Sequence, residues 1–279
     1  MPEIVRTVSD LRFTVAHWRK EGAAIAIVPT MGALHEGHLT LVRQAFNHAD
    51  KVIVSIFVNP KQFAPTEDLA RYPRNLEGDA EMLAGVEADL IYAPHEDEIY
   101  GDGFATTVSL SGPAKAGLED KFRPHFFDGV ATVVAKLFIQ SGADKAIFGE
   151  KDYQQLLAVR RMARDLDIPI EVVGIPTVRD ADGLALSSRN QYLSKHERHQ
   201  ATAIIRALRQ AAEKIIGGAE LQATIRAAAR SLNTLGFKVD YVTARNAETL
   251  AVPQSSGEPL RLLAAAWLGK TRLIDNIEV

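Results

Sequence analysis

The fold is decided by residues 23–38, which read AAIAIVPTMGALHEGH. The apolar run 23–28 predicts a buried strand, a glycine-containing turn follows it, and a helical pattern then continues over residues 37–47. A second apolar run, 52–58, comes after that helix. A strand, a helix and a strand in this order predict a βαβ unit.

The same alternation continues through the first half of the chain. Helical patterns follow at residues 79–88, 129–140 and 153–165, and strand patterns at 90–93, 146–148 and 170–178. Apolar strands separated by helices are typical of a parallel sheet covered on both faces, and right-handed crossovers make such a sheet doubly wound. We therefore predict a Rossmann-like α/β fold, with ligands bound beyond the carboxyl ends of its strands.

A change of pattern near Pro176 predicts a domain boundary. Residues 1–176 would form the Rossmann-like domain and residues 177–279 a smaller C-terminal α+β domain. In the latter, helical patterns at 196–216 and 220–235 precede three β-like runs at 238–243, 260–267 and 272–277. Within the first domain, the stretch 59–74 contains three prolines and is predicted to be a mobile lid.

Bulk composition excludes several classes of protein. Of the 279 residues, 47% are hydrophobic and 24% charged, and no apolar run approaches the roughly 18 residues of a membrane span. The N-terminus carries acidic residues and no signal-like apolar core, so we expect a cytoplasmic protein that does not enter a membrane. The basic residues are scattered and the net charge is -3, which disfavours nucleic-acid binding. Cysteine is absent, which excludes disulfides and cysteine nucleophiles.

The turn after the first strand offers a phosphate site. Backbone N–H groups at the start of a helix can hold phosphate oxygens, and Gly37 leaves room for a ligand to approach. His35 and His38 would share one face of the first helical turn and stabilise the charge that develops as pyrophosphate leaves. The alternative is that both histidines merely cap and pack the helix. Zinc is disfavoured, because zincin histidines lie four residues apart and further ligands would be needed.

Polar side chains also follow the second strand, in the segment FVNPKQF at residues 57–63. The amides of Asn59 and Gln62 could recognise hydroxyl and carboxylate groups of a co-substrate without adding charge. The alternative for the Asn-Pro pair is an ordinary turn that ends a strand. Arg123, in the segment RPHFFDG, supplies a cation at a helix start, and its alternative is a simple surface loop.

Two later segments carry charges and hydroxyls suited to phosphate. In FGEKDYQQ, residues 148–155, Lys151 is a point charge for phosphate, Asp152 could cap the helix or touch a nucleotide, and Gln155 follows one turn later. The alternative is a solvated, charged helix start. In GLALSSRN, residues 183–190, two hydroxyls and a guanidinium suit phosphate oxygens and a closing loop.

The segments PTMGALHEGH, FVNPKQF, FGEKDYQQL and GLALSSRN, in this order, resemble the signature segments of the pantothenate synthetase family. The resemblance spans nearly the whole chain. The His-x-Gly-His piece, a HIGH motif, is by itself similar only to the wider nucleotidyltransferase superfamily, which includes class I aminoacyl-tRNA synthetases. The four segments in combination are far more specific.

The resemblance implies a ligase that condenses (R)-pantoate with β-alanine through a pantoyl adenylate. It would consume ATP, with Mg²⁺ on the nucleotide, release AMP and diphosphate, and act as a homodimer. The ATP site would comprise Met31, Gly32, Ala33, Leu34, His35, Glu36, Gly37, His38, Gly149, Glu150, Lys151, Asp152, Val178, Leu186, Ser187, Ser188 and Arg189. His38 would be the proton donor, assisted by His35 and Lys151.

The same resemblance assigns residues to pantoate and β-alanine. It also shows three places where this chain departs from the family pattern. Gln62 and Gln155, with Asn59 beside them, would bind pantoate, and Arg123 would hold phosphates or the incoming β-alanine carboxylate. Phe126 stands where the family pattern has a histidine. Asp79, next to Gly78, is the acidic residue that matches the magnesium region. Leu186 replaces a methionine of similar volume.

Two rival functions compete with this hypothesis. A nucleotidyltransferase that moves AMP onto a phosphate-bearing acceptor would favour more cations after the second strand, whereas this chain has Lys61 alone between Asn59 and Gln62. A non-catalytic nucleotide-binding module would need the phosphate turn but neither the paired histidines nor the glutamines.

Overall fold

The computed structural model describes residues 1–64, 67, 69–255 and 257–279. The chain divides into two compact units, which are described one at a time. The first comprises Met1–Glu150 and Gln154–Pro176, and the second comprises Lys151–Tyr153 and Thr177–Val279. Within the described residues, no helix combines the length and the apolar character needed to cross a membrane.

The first unit is built on a six-stranded parallel sheet, which confirms the predicted doubly wound α/β fold. Its strands are β1 Glu3–Val5, β2 Ile25–Thr30, β3 Lys51–Ile56, β4 Leu90–Tyr92, β5 Lys145–Gly149 and β6 Glu171–Ile175, in the order β1-β4-β3-β2-β5-β6. Ile27 of β2 pairs with Ile53 of β3 on one side and with Ala146 of β5 on the other. The chain reverses its direction of travel between β2 and β5, so the topological switch point lies there.

Helices cover both faces of this sheet. They are α1 Val8–Lys20, α2 Glu36–Ala45, α3 Leu76–Ala84, α4 Glu96–Ile99, α5 Glu119–Phe122, α6 Phe126–Ser141 and α7 Tyr153–Asp165. Val28, Val54 and Ile91 in the central strands are completely buried, which explains why these strands read as unbroken apolar runs. Val42 of α2 and Leu83 of α3 pack against the same core.

β1 and α1 were not predicted, although α1 has a recognisable start. Thr7 caps α1 by accepting a hydrogen bond from the Asp10 backbone N–H. Leu11, Val15 and Trp18 are spaced four and three residues apart and form the buried face of the helix.

The second unit contains a three-stranded antiparallel sheet and helices, as expected for the smaller α+β part. Its elements are α8 Lys195–Ala201, α9 Ala203–Ile216, α10 Leu221–Thr234, β7 Lys238–Asn246, β8 Leu260–Leu268 and β9 Thr271–Glu278. Leu208, Leu232 and Leu262 are buried together in its core. The single helix predicted at 196–216 is interrupted at Thr202, whose hydroxyl donates to the His199 carbonyl.

The predicted lid at 59–74 is only partly described, since residues 65, 66 and 68 lie outside the described residues. The described parts contain two 3-10 helices, Pro60–Gln62 and Leu69–Arg71.

Candidate active site

The turn after β2 stands at the topological switch point of the sheet. Two consecutive residues adopt left-handed backbone conformations there, Gly32 with φ +79° and Ala33 with φ +51°. Thr30 supports the turn, because its hydroxyl accepts from the Gly32 N–H at 3.2 Å and donates to the Ser55 carbonyl at 2.8 Å. The turn is therefore anchored to the neighbouring strand β3.

Asp79 of α3 holds the other side of this turn. Its two carboxylate oxygens accept hydrogen bonds from the backbone N–H groups of Ala33 at 3.0 Å and Leu34 at 2.8 Å. The side chain is buried, and burial raises the pKa of Asp79, while the two N–H donors offset part of that rise. Ala33 and Leu34 both belong to the predicted ATP site, and their N–H groups donate here to a carboxylate of the protein itself.

The predicted metal role of Asp79 stays a prediction. Both carboxylate oxygens already accept backbone hydrogen bonds. Among the described residues, no group of three or more histidine or acidic side chains is placed to share a metal ion. A magnesium ion held mainly by protein carboxylates therefore does not fit the described part of this unit.

His35 and His38 form a reciprocal cap at the start of α2. The Nδ1 atom of His35 accepts from the Gly37 N–H at 3.1 Å, and the Nδ1 atom of His38 accepts from the His35 N–H at 3.3 Å. The centres of the two rings are 4.1 Å apart. Capping and phosphate binding are compatible, because a neutral ring that accepts at Nδ1 carries its proton on Nε2 and donates from there.

Asn59 orients the Gln62 side chain. Asn59 is buried, and its amide nitrogen donates to the Gln62 side-chain oxygen at 3.0 Å and to the Gly129 carbonyl at 3.1 Å. The Gln62 amide nitrogen in turn lies 2.9 Å from the sulfur of Met31. We call residues 31–38 the histidine turn. The structure thus brings the Asn59–Gln62 segment into contact with Met31, the first residue of that turn.

The two cations near Gln62 are already engaged by protein groups. The Lys61 ammonium lies 4.9 Å from the centre of the Tyr100 ring and 5.2 Å from that of Phe104. The Arg123 guanidinium forms a two-pronged ion pair with Glu67, at 2.6 and 2.8 Å, and also donates to the Gln62 backbone carbonyl. The predicted Arg123 is therefore brought to Gln62, but its charge is paired with Glu67.

Phe126, which stands where the family pattern has histidine, contacts the side chain of Arg123. The Arg123 guanidinium stacks on the Phe126 ring, 3.7 Å from its centre, and the Phe127 ring meets Phe126 edge-on. In this chain an apolar ring at position 126 therefore supports the guanidinium of Arg123.

Two residues that support Gln62 were missed by the sequence prediction. The Tyr100 hydroxyl donates to the Asn59 side-chain oxygen at 2.7 Å, and burial raises the pKa of Tyr100 so that it stays protonated. Gly129 of α6 packs so closely that an added Cβ would lie 2.5 Å from the Lys61 carbonyl carbon and 2.8 Å from the Gln62 nitrogen. A glycine such as Gly129 within an apolar helix indicates the close approach of another backbone, whereas no local sequence signal marks Tyr100.

The adjacent glutamines of α7 have different surroundings. Gln154 is buried, accepts from the Glu119 N–H, and donates to the Pro113 carbonyl and to Asp120. Gln155, the predicted pantoate ligand, is half-buried.

Of the remaining predicted ATP residues, Gly149 and Glu150 belong to the first unit, and the second unit contains Lys151, Asp152, Val178, Leu186, Ser187, Ser188 and Arg189. The Leu186 N–H donates to the Val178 carbonyl at 3.0 Å, which joins the two ends of a hairpin-like loop. Ser187 caps the 3-10 helix Ser188–Tyr192 by accepting from the Arg189 N–H. Lys151 is largely buried, with its ammonium 3.6 Å from the Asp152 carboxylate, which differs from a fully solvated helix start.

Comparison with known proteins agrees with this fold. Residues 3–278 match the family model described as Pantoate-beta-alanine ligase. The whole chain is 56% identical to the pantothenate synthetase of Caulobacter vibrioides and 55% identical to that of Rhodopseudomonas palustris, and covers 99% of each.

Solved structures agree as well. The pantothenate synthetase of Thermus thermophilus gives a TM-score of 0.93 at 46% identity, covering 99% of both chains. The pantoate-beta-alanine ligase of Francisella tularensis, complexed with Beta-gamma ATP and Beta-alanine, gives 0.84 at 33% identity, covering 100% of this chain and 98% of that one. The chain described here belongs to the pantoate-β-alanine ligase family.

Proposed function

We propose that this ligase makes pantothenate from (R)-pantoate and β-alanine, with ATP converted to AMP and diphosphate. The observation that carries the proposal is the surroundings of Gln62. Its amide touches Met31 of the histidine turn, while the neighbouring cations Lys61 and Arg123 are held by aromatic rings and by Glu67. Neutral amides suit a hydroxy acid, whereas a phosphate-bearing acceptor would need free cations.

The reaction has two steps because a carboxylate is a poor acyl donor. In the first, a pantoate carboxylate oxygen attacks the α-phosphorus of ATP, a new P–O bond forms, and the bond to the β-phosphate oxygen breaks to release diphosphate. Gln62 and Gln155 hold pantoate, and Asn59 fixes the direction of the Gln62 amide. This positioning replaces a bimolecular encounter by a reaction between fixed groups.

Charge on the phosphates grows during this first step. His35 and His38 donate from Nε2 toward the phosphate oxygens, and His38 is the proton donor that the family resemblance assigns. Lys151 adds a positive charge, and Ser187, Ser188 and Arg189 add hydrogen bonds to ATP. For Lys151 and these three residues, the support is side-chain chemistry and the family resemblance.

The second step is acyl transfer. The uncharged amine of β-alanine attacks the pantoyl carbonyl carbon, a C–N bond forms, the bond between this carbon and the AMP oxygen breaks, and the nitrogen loses a proton. AMP leaves readily because its phosphate carries the displaced electron pair. The family resemblance assigns the β-alanine carboxylate or the phosphates to Arg123, whose guanidinium would have to exchange its ion pair with Glu67 for that ligand.

Mg²⁺ enters the proposal as the partner of ATP. Magnesium usually keeps several water ligands and binds through substrate phosphates, so it can arrive with the nucleotide. The match of Asp79 to the magnesium region rests on the family resemblance alone, and each of its two oxygens accepts one backbone N–H.

The proposal also covers the organisation of the protein. Residues 1–176 carry pantoate binding and most of ATP binding, and residues 177–279 form the smaller domain that includes Val178 and Leu186. The family resemblance supports a homodimer, which light scattering of the purified protein tests. Because the proposed reaction consumes ATP, which is supplied inside the cell, we propose that the enzyme acts in the cytoplasm.

The deciding experiment measures AMP and diphosphate release from ATP and Mg²⁺ with (R)-pantoate and β-alanine, against mixtures that lack one acid. Turnover that needs both acids and yields pantothenate supports the proposal. Transfer of AMP to a phosphorylated acceptor, with no pantothenate, would overturn it in favour of a nucleotidyltransferase.

A further inference from the structure

We infer that Asp79 is a positioning residue that fixes the turn 32–34 in front of His35 and His38. The inference rests on the proposed function for its catalytic consequence, since the turn is assigned to ATP binding there. The contacts from which the positioning role is inferred all lie within the first unit.

The first support is the use of the carboxylate. Each oxygen of Asp79 accepts one backbone N–H, from Ala33 and from Leu34, 46 and 45 residues earlier in the chain. The side chain is only 4% exposed, so these bonds are shielded from water. Asp79 is thus the acceptor for two N–H groups of the turn, and leaving either group unpaired in a buried place is costly.

The second support is the backbone that these bonds restrain. Ala33 has a φ of +51°, a conformation that residues with a Cβ adopt at a cost of about 1–3 kcal/mol. Such a conformation persists only where the surroundings hold it in place. Asp79 supplies two of those restraints, one on Ala33 itself and one on the residue that follows it.

The third support is the close packing of Gly32 against the same carboxylate. An added Cβ at Gly32 would lie 2.9 Å from one Asp79 oxygen and 3.1 Å from the Ile56 side chain. Gly32 also has a φ of +79°, which favours glycine. Gly32 therefore packs tightly against both strand β3 and helix α3. From Gly32 the turn continues through Leu34 to His35, which caps α2.

Asp79→Asn separates positioning from metal binding. The variant keeps the shape but replaces one acceptor by an NH₂ group, which would face a backbone N–H. We expect ATP to bind about tenfold more weakly by titration calorimetry, both with Mg²⁺ and with EDTA in its place. A loss seen only with Mg²⁺, and reversed by excess Mg²⁺, would overturn the inference and make Asp79 a metal ligand.

Asp144→Asn is the matched control. Asp144 accepts from the Ile25 N–H at 2.8 Å at the opposite end of the same strand, β2. We expect this variant to lose stability but to bind ATP within about twofold of the wild type. If both variants weakened ATP binding equally, the cause would be a general loosening of β2. That result would overturn the inference.

Hydrogen exchange tests the turn without any ligand. The Ala33 and Leu34 amides should exchange slowly in the wild type and much faster in Asp79→Asn, and unchanged protection would overturn the inference. If the wild type made no pantothenate while these amides behaved as expected, the proposed function would fail and the positioning role would stand. Should Asp79→Asn not fold, Asp79→Glu, which keeps the charge but displaces it, should show the same losses.

Discussion

The side-chain amide of Asn276 donates a hydrogen bond of 2.9 Å to the backbone carbonyl of Lys151, 125 residues earlier in the chain. The Asn276 oxygen accepts from the Arg261 guanidinium at 2.7 Å. Arg261 also lies 4.1 Å from the centre of the Tyr153 ring, and the Tyr153 hydroxyl donates to the Ala247 carbonyl. The C-terminal sheet therefore fixes the backbone on which Lys151 is carried.

We expect Asn276→Ala to raise the KM for ATP about fivefold to tenfold, because the Lys151 carbonyl and Arg261 each lose a buried partner. The KM for pantoate should change less than about twofold. Steady-state kinetics with each substrate varied in turn measures both values. Asn233→Ala, which removes an exposed hydrogen bond to Ala229, is the control and should leave both unchanged. Equal increases in the two KM values would contradict the prediction.

Gly129→Ala should damage pantoate binding. The new methyl group would collide with the Lys61 carbonyl and push the Gln62 backbone away. We expect the KM for pantoate to rise about tenfold or more, with a loss of stability of about 1–3 kcal/mol from overpacking. The control is Gly257→Ala, where no heavy atom lies within 4 Å of the added Cβ. An unchanged KM for pantoate would show that Gln62 does not depend on this packing.

Tyr100→Phe should weaken pantoate binding more mildly. The variant removes the hydroxyl that donates to Asn59 and leaves the aromatic ring under the Lys61 ammonium. Because Asn59 then loses one restraint on the amide that holds Gln62, we expect the KM for pantoate to rise about threefold to tenfold. Since burial raises the pKa of Tyr100, this difference should persist unchanged from pH 6 to about pH 9. An effect on the KM for ATP alone would refute it.

His38→Ala should abolish adenylate formation while leaving the protein folded. The variant loses the Nε2 donor and the acceptor for the His35 N–H. We expect pantoate-dependent diphosphate release to fall about 100-fold or more, and stability to fall by about 1 kcal/mol. His17→Ala, an exposed histidine of α1 beside Glu21, is the control. Retained diphosphate release at unchanged thermal stability would count against His38.

The contact between Arg19 and Asp144 predicts a pH dependence of stability. Partial burial alone would raise the pKa of Asp144, but the Arg19 ion pair and the Ile25 N–H outweigh it and lower the pKa. Such a group stabilises the fold above its unfolded pKa, and this contribution is lost as the pH falls through the folded pKa. Asp144→Asn should therefore cost about 1 kcal/mol at pH 7, because the pair is partly solvated, and the difference should close in acid. Urea unfolding across pH measures it.

The sheet could be predicted because its signal is local. The strands around Val28 and Val54 are buried on both faces and therefore appear as unbroken apolar runs. The helix predicted at 153–165 has the same bounds in the structure. α1 is harder to recognise, because Leu11, Val15 and Trp18 stand among many polar residues.

The side chains that orient the site could not be predicted, because their partners are distant in sequence. Ala33 and Asp79 are 46 residues apart, and Asn59 and Tyr100 are 41 apart. No spacing rule connects such positions, since only the sheet order brings their loops together. The acidic residue matched to the magnesium region could be found from sequence, but its hydrogen bonds to a backbone turn could not.

The reciprocal cap of His35 and His38 also fixes the direction of both imidazole rings. Each Nδ1 accepts a backbone N–H, so neither ring can rotate without leaving that N–H unpaired at the first turn of α2. The centres of the two rings are held 4.1 Å apart. An inhibitor directed at them gains most from two acceptor atoms whose spacing matches that separation.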